Sequence, residues 1–254
     1  MNFFDSFLDD THILTRDMCR RFAEAEIAPR AADWEEEGLF PRDLYRKAGA
    51  AGIIGIGFEE GVGGAGGDPL HVVMAIEGLM RGGSTGVVVG LTTAGIALPP
   101  MIQSGDEGLN ERWVRPALTG EKIAALAVTE PGTGSDVSAV RTRAVLDGDH
   151  YVVTGNKLFI TSGVRADVLT TLVRTGEDPH GGLSFLAIDT SLEGVDASRS
   201  LKKTGWCASD TAEIGFDEVR VPVSERIGSE GSGFVTVMRN FQTERLALAA
   251  YGAA

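Results

Sequence analysis

The sequence contains few cysteines, fewer basic than acidic residues and no long apolar run. Its two cysteines, Cys19 and Cys207, lie far apart in a chain of 254 residues, which predicts free thiols and no disulfide framework. The 23 Lys and Arg residues against 36 Asp and Glu residues give a net charge of −13. A nucleic-acid-binding protein would show a basic face, so this balance argues against that class.

Two further absences concern membranes and secretion. No run of about 20 apolar residues occurs, so we expect no transmembrane helix. The first residues, MNFFDSFLDD, are acidic and lack the basic start of a secretory signal peptide. We therefore expect a cytoplasmic protein without a membrane span, and we expect no metal site.

Residues 1–120 carry the periodicity of amphipathic helices. Apolar residues recur there at spacings of four, three and three, which is typical of one helix face; these are Met18, Phe22, Ala25 and Ala28. Asp68 and Pro69 are expected to be the N-cap and the first residue of a helix. The apolar segment 86–105 predicts a buried helix.

Residues 121–228 are rich in β-forming residues arranged in short segments. Turn signals such as Asp147-Gly148-Asp149 separate these segments, as expected of antiparallel strands. Helical periodicity returns in residues 229–254. The order predicts an α+β protein with an N-terminal helical domain (1–120), a middle β-barrel or β-sandwich domain (121–228) and the start of another helical domain (229–254).

Two glycine-rich segments are candidates for ligand binding. Gly61, Gly63 and Gly66 have the spacing of a dinucleotide fingerprint, but their surroundings are helical and no acidic residue follows a strand about 20 residues later. We interpret this segment as a structural turn. Residues 124–139, ALAVTEPGTGSDVSAV, read as a strand followed by a turn with exposed N–H groups and hydroxyls. They suit a polar, partly anionic ligand, although a β-turn with polar side chains is the alternative.

A third candidate is the strand GNKLFITSG, residues 155–163. The alternation of a strand places Phe159 and Thr161 on one face and Ile160 on the other. An aromatic ring beside a hydroxyl could stack on a flat ligand and bind its edge. The same pattern is common in strands that bind nothing.

Together these stretches resemble the flavin-dependent acyl-CoA dehydrogenase family. The similarity runs in order over nearly the whole chain, and its most specific motifs are VTEPGTGSD and SDTAEIGFDEVRVP. Glu-Arg-Leu at 244–246 is most similar to the isovaleryl and long-chain branches. Members of the family have an N-terminal helical, a central β and a C-terminal four-helix domain. The resemblance implies that 229–254 is only the first helix of the last domain, so we expect a C-terminally truncated chain.

The resemblance also implies FAD as the cofactor. The positions that match the flavin-binding residues are Leu126, Ala127, Val128, Thr129, Gly134, Ser135, Phe159, Ile160 and Thr161. Those that match the substrate-binding residues are Ser135, Gln242 and Arg245. Many members have Trp in place of Phe159 and Asp in place of Gln242; phenylalanine keeps the stacking surface and loses the indole N–H.

Glu244 is the candidate catalytic residue. On a helical projection of residues 234–248, Glu244 falls at the flank of the apolar stripe and Arg245 falls inside it. Both positions could be explained if the two side chains pair with groups on neighbouring helices or are solvated by water. Dehydrogenation of an acyl thioester, however, needs a base for the weakly acidic α-proton, and a carboxylate beside apolar residues has the raised pKa required. The resemblance assigns that base to Glu244.

The function implied is FAD-dependent α,β-dehydrogenation of an acyl-CoA to the trans-2-enoyl-CoA in fatty acid β-oxidation. The resemblance further implies an electron-transfer flavoprotein as partner and a homotetramer. The alternatives are a dehydrogenase acting on acyl-carrier protein and an inactive fragment. Related oxidases and monooxygenases are also known, but the monooxygenases need no α-proton base. The sequence does not indicate the acyl chain length.

Overall fold

A computed structural model describes residues 7–254, apart from the side chain of Thr243. The part of the chain before residue 120 is helical. Its helices are α1 (Asp10–Phe22), α2 (Ala31–Glu37), α3 (Asp43–Ala50), α4 (Pro69–Met80), α5 (Thr85–Leu91), α6 (Ala94–Ala97), α7 (Pro99–Ser104), α8 (Glu107–Leu109) and α9 (Arg115–Leu118). Single turns of the wider π-helix follow α1 at Ala23–Ile27 and α8 at Asn110–Val114.

Local capping signals define the start of α4 as predicted. The Asp68 carboxylate accepts hydrogen bonds from the backbone N–H groups of Leu70 and His71, at 2.9 and 3.1 Å. Pro69 is the first helical residue, where its missing N–H costs no hydrogen bond. The glycine-rich segment before it forms a turn between helices, with a short 3₁₀ turn at Glu60–Val62. This confirms the structural interpretation of that segment.

Helices α1 and α4 pack closely because α4 carries a glycine at the contact. A Cβ atom added at Gly78 would lie 2.4 Å from the carbonyl oxygen of Arg16 and 2.8 Å from Cys19 Cβ, so only glycine allows this approach. Cys19 is fully buried there, and burial raises the pKa of its thiol to about 12. Both cysteines are free, as predicted.

Segment 86–105 is buried as predicted, but it forms three short helices, α5 to α7, instead of one. The hydroxyls of Thr92 and Thr93 donate to the carbonyls of Val88 and Val89 at 2.7 and 2.9 Å, and such back-bonding bends helices. The pair Pro99–Pro100 then removes two N–H donors, which forces a new helix start.

Within residues 7–254, no single helix is long and apolar enough to cross a membrane. The two segments Thr85–Leu91 and Ala94–Ser104, which are bent relative to each other, are together long and apolar enough, but this rests on length and composition only.

The middle of the chain forms one eight-stranded mixed sheet. Its strands are β1 (Ala124–Ala127), β2 (Arg143–Asp147), β3 (His150–Thr161), β4 (Val168–Arg174), β5 (Leu183–Asp189), β6 (Val195–Ser200), β7 (Thr211–Pro222) and β8 (Arg226–Ile227). The order is β6-β7-β3-β2-β4-β5-β8, and β1 pairs with β4 in parallel. The mostly β middle is confirmed. Among the described residues the sheet is open, since its edges β6 and β8 do not pair, so of the two predicted forms, a barrel or a sandwich, the closed barrel is not formed.

The last helix, α10 (Gly233–Ala253), lies against α4, α6, α7 and β5. A Cβ atom added at Gly233 would meet the Leu183 carbonyl oxygen at 2.7 Å, so glycine permits the helix to start directly against β5. Helical structure therefore returns where the periodicity predicted it. The domain boundaries at 120 and 228 stay predictions.

Candidate active site

An apolar cavity of about 280 Å³ lies between α4, α6, α7, α10 and the loop after α3. Aliphatic side chains, including Ile76, Leu79 and Ile96, form most of its wall. Helix α10 contributes Glu244, Ala247 and Tyr251, whose spacing of three and four places them on one helix face. A cavity of this kind suits an apolar ligand whose polar end lies near the Glu244 carboxyl.

Glu244 is half-buried at the wall of this cavity. Its Oε2 atom is buried and makes no hydrogen bond to any residue in 7–254. Burial raises the pKa of the Glu244 carboxyl, and the positive charge of Arg245 opposes this only in part. A carboxylate that lacks hydrogen-bond partners is a stronger base than a solvated one and is free to accept a proton from a ligand.

Helix α10 is rotated relative to the sequence-based projection. Arg245 was predicted inside the apolar stripe, but it is exposed, whereas Glu244 lies on the packed side. Asn240 is buried and its Nδ2 donates to the carbonyl oxygen of Ile96 at 2.8 Å. This hydrogen bond turns a polar face of α10 toward the helices, so the apolar pattern alone gives the wrong rotation. Gln242 is also exposed.

The predicted flavin-binding residues lie at the junction of the segment after β1 with β3. Leu158 N donates to the carbonyl oxygen of Thr129 at 2.8 Å, which joins the two segments. Phe159 is 63% exposed and has φ +62°, a conformation that is strained for an aromatic residue. Ile160 is buried and Thr161 half-buried, but the register of β3 against β7 shifts between Lys157 and Ile160, so the exposure of Phe159 follows from an irregularity in the strand and not from regular alternation.

Several hydroxyls near this junction lack protein partners. The side chains of Thr129, Ser135 and Thr161 make no hydrogen bond within the described part of the chain. Thr133 differs, because it is buried and its Oγ1 donates to the Ala139 carbonyl at 3.1 Å. A Cβ atom added at Gly134 would meet nothing within 4 Å, so the turn is open to a ligand.

The remaining predicted flavin-binding positions face the protein interior. Ala127, Val128 and Ile160 are buried in the core, and Leu126 is half-buried against it. These residues can reach a ligand only through backbone atoms or by supporting the surface above them.

A buried ion pair between Glu130 and Lys157 was not predicted. Lys157 Nζ lies 2.9 Å from Glu130 Oε1 and 3.0 Å from the Val128 carbonyl oxygen. Glu130 also accepts hydrogen bonds at 2.8 Å from the N–H groups of Arg141 and Thr142. The sequence could have indicated this burial. In a strand every second side chain lies on the same face, so Lys157 lies on the same face as the buried Tyr151 and Val153.

Burial and mutual attraction act in opposite directions on the pKa values of this pair. Burial lowers the pKa of Lys157 to about 8, and the charge of Glu130 limits that fall. Burial alone would raise the pKa of Glu130, but the Lys157 ammonium and the hydrogen bonds hold it below its ordinary value. Both groups are therefore charged at neutral pH, and they fix the segment 128–130 against β3 next to Phe159.

One group of potential metal ligands lies away from the cavity, at the N-termini of α1 and α4. Ligand atoms of Asp9, His12 and His71 lie within 4.8 Å of one another. Asp9 caps α1 through the N–H groups of Thr11 and His12, and His12 Nε2 lies 3.1 Å from Asp68 Oδ1. Helix capping accounts for these contacts.

Comparison with known proteins decides the family. The model of the acyl-CoA dehydrogenase N-terminal domain matches residues 9–121, and that of the acyl-CoA dehydrogenase middle domain matches residues 125–219. The chain belongs to the acyl-CoA dehydrogenase family.

Individual members of the acyl-CoA dehydrogenase family support this. A short-chain specific acyl-CoA dehydrogenase of Clostridium acetobutylicum is 38% identical, over 93% of this chain and 63% of the relative. A putative acyl-CoA dehydrogenase structure from Mycobacterium smegmatis has a TM-score of 0.94 and 48% identity, over 96% of this chain and 65% of its own. A glutaryl-CoA dehydrogenase of the same species, solved in complex with FADH2, has a TM-score of 0.89 and 26% identity, over 97% of this chain and 62% of its own. The chain thus spans less than two thirds of each relative.

The residues that give the cavity its form were missed by sequence reasoning, apart from Glu244. Tyr251 and Thr92 are 159 positions apart, and no local pattern connects them. The curated relatives include both short-chain and long-chain specific enzymes, so they do not decide the branch, and the isovaleryl or long-chain branch stays a prediction from Glu-Arg-Leu at 244–246.

Proposed function

We propose that this chain forms the FAD-binding and acyl-binding part of an enzyme that oxidises an acyl-CoA thioester to the trans-2-enoyl-CoA. The observation that supports it most is the Glu244 carboxylate, whose buried Oε2 has no partner in residues 7–254 and lies at an apolar cavity. A base without its own hydrogen bonds, placed where an alkyl chain would bind, has the properties that α-proton removal requires.

Glu244 takes the α-proton in this proposal. The C–H bond at the α-carbon breaks, the proton passes to the carboxylate and the β-hydrogen leaves with its electron pair, so that the α,β double bond forms. Protonation removes a charge from the apolar wall, and the raised pKa brings the carboxyl closer to the acidity of its substrate. The cavity also excludes water from the alkyl chain and positions the α-carbon.

The residues at the β1–β3 junction fit FAD. The exposed Phe159 ring offers a flat surface for stacking. Thr129, Ser135 and Thr161 supply hydroxyls without protein partners, and the turn at Gly134 and Ser135 supplies exposed backbone for an anionic group. FAD, when bound, supplies the acceptor for the β-hydride. Leu126, Ala127, Val128 and Ile160 would support this surface from the core.

The CoA part of the substrate, beyond the thioester, would lie outside the cavity. Gln242 and Arg245 are exposed on α10 next to Glu244, where they can bind polar groups of CoA, together with Ser135. A local positive charge at Arg245 is needed because the chain carries a net charge of −13, which repels an anionic ligand at long range. The proposal extends to a cytoplasmic homotetramer that passes electrons to an electron-transfer flavoprotein in fatty acid β-oxidation.

Anaerobic titration of the FAD-loaded protein with butyryl-CoA tests the proposal. We expect the visible flavin band to bleach with the wild type and with Glu59→Gln, and to persist with Glu244→Gln. Glu59 is a matched control, because it also lines the cavity but is exposed. Bleaching of Glu244→Gln at the wild-type rate would refute the role of Glu244. A wild-type protein that binds no FAD would refute the proposal for this chain.

A further inference from the structure

Two residues that line the cavity, Tyr251 in the last turns of α10 and Thr92 directly after α5, are joined by a hydrogen bond. Tyr251 Oη lies 2.5 Å from Thr92 Oγ1. Thr92 Oγ1 already donates its proton to the Val88 carbonyl oxygen at 2.7 Å, so the tyrosine hydroxyl is the donor of the bond between them. The Tyr251 ring also packs edge-on against Trp206, with ring centroids 6.3 Å apart and an interplanar angle of 71°.

The spacing along α10 sets the distance from Glu244 to Tyr251. Glu244, Ala247 and Tyr251 line the cavity in that order. Seven residues of α-helix at 1.5 Å each separate Glu244 from Tyr251 by about 10 Å. Ala247, between them, has only a methyl group and leaves the space along the helix open. An alkyl chain that starts at Glu244 therefore runs past Ala247 toward the face of Tyr251.

We propose that Tyr251, held by Thr92, limits the length of the acyl group, so that the enzyme prefers short acyl chains. This inference rests on the proposed function, because Glu244 marks the position of the α-carbon. A van der Waals contact with the ring takes up about 4 Å of the distance. The remaining ~6 Å accommodates about five further carbons at ~1.3 Å each, derived from a bond length of ~1.5 Å. The upper limit is thus about six to eight carbons.

The contacts of the Tyr251 side chain hold it in one conformation. Its ring is held at two points, by Thr92 at the hydroxyl and by Trp206 at the edge. Swinging it aside to admit a longer chain would break the hydrogen bond and leave its hydroxyl without a partner in a mostly apolar cavity, which is unfavourable. A longer acyl group would have to overcome this cost, so lengthening beyond the limit no longer increases affinity.

Dissociation constants for a chain-length series test the proposal. Isothermal titration calorimetry would use butyryl-, hexanoyl-, octanoyl- and dodecanoyl-CoA with FAD-loaded protein carrying Glu244→Gln, so that turnover does not consume the ligand. Each methylene buried below the limit should lower the dissociation constant about fourfold. We expect this gain to stop between hexanoyl- and octanoyl-CoA. Adding Tyr251→Ala should extend the gain to dodecanoyl-CoA, which should bind at least ~10-fold more tightly than without it.

Two variants separate the ring from its hydrogen bond. Tyr251→Phe keeps the ring but loses the hydrogen bond to Thr92, so it should shift the plateau toward longer chains, although less than Tyr251→Ala does. Thr92→Val removes the anchor of the hydroxyl and should shift the plateau to longer chains, even if Tyr251→Ala does not fold. A continuous gain up to dodecanoyl-CoA without a change at Tyr251, or the same plateau with Tyr251→Ala, would overturn the proposal. Absence of binding at every chain length would refute the proposed function, and the length limit with it.

Discussion

Lys157 Nζ lies 2.9 Å from Glu130 Oε1, and both side chains are buried. The pair joins the segment after β1 to β3, two residues before the exposed ring of Phe159. A buried ion pair is weak evidence for stability by itself, because desolvation opposes the attraction. Its consequence here is positional, since it fixes the backbone that presents the proposed flavin-binding residues.

Breaking this pair on one side should strongly destabilise the protein. Lys157→Met leaves the Glu130 carboxylate buried without its counter-charge, and such changes cost about 3–5 kcal/mol. Urea unfolding of the wild type and of Lys157→Met at neutral pH measures the difference in their free energies of unfolding. The double variant Lys157→Met with Glu130→Gln is the control and should recover much of the loss. A single variant as stable as the wild type would contradict the assigned role.

Replacing Glu244 should stabilise the protein in a pH-dependent way. Burial raises the pKa of Glu244 in the folded state, so above the unfolded value of about 4.3 the unfolded chain gives up this proton more readily than the folded one. The free energy of unfolding of the wild type therefore falls, through this group, as the pH rises from that value to the raised pKa. Glu244→Gln removes this loss.

Thermal unfolding of wild type and Glu244→Gln across this range provides the measurement. The variant should be more stable at pH 7. The difference should vanish well below the unfolded pKa of about 4.3, where the carboxyl is protonated in both the folded and the unfolded protein. Glu59→Gln is the control for removal of a charge at the cavity. Equal stability of Glu244→Gln and wild type at all pH values would show that the carboxylate is not desolvated.

Removing the ring of Phe159 should weaken FAD binding without destabilising the fold. The ring is 63% exposed, so its loss removes little buried surface. Aromatic stacking contributes about 0.5–1.5 kcal/mol, which corresponds to a twofold to roughly tenfold increase in the dissociation constant of FAD. Phe159→Trp keeps a stacking surface and should retain the affinity. Fluorescence titration with FAD gives both values, and an unchanged constant for Phe159→Ala would exclude stacking on this ring.

Features that depend on neighbouring residues were predictable from the sequence. Asp68 and Pro69 begin α4 as expected, because a cap and its helix need only adjacent residues. The strands were recognisable for the same reason, since alternation and turns are local. The break of segment 86–105 into three helices was readable in part, because Pro99 and Pro100 are visible in the sequence.

The rest depends on contacts between distant residues. The rotation of α10 follows from the hydrogen bond of Asn240 to Ile96, which no periodicity reveals. The position of the Tyr251 ring at the cavity depends on its hydrogen bond to Thr92. Glu244 was found only because the resemblance assigned it a role, and its unpartnered oxygen became visible once the cavity was known.

The central claim is that Glu244 removes the α-proton of a bound acyl-CoA. An acyl-CoA with sulfur in place of the β-carbon has acidic α-hydrogens and no β-hydrogen to lose, so it reports proton removal alone. Exchange of its α-hydrogens for deuterium in D2O, followed by NMR in the presence of the FAD-loaded protein, measures this step. The account predicts catalysed exchange with the wild type and with Glu59→Gln, and exchange reduced to the uncatalysed rate with Glu244→Gln. Exchange at the wild-type rate with Glu244→Gln would contradict it.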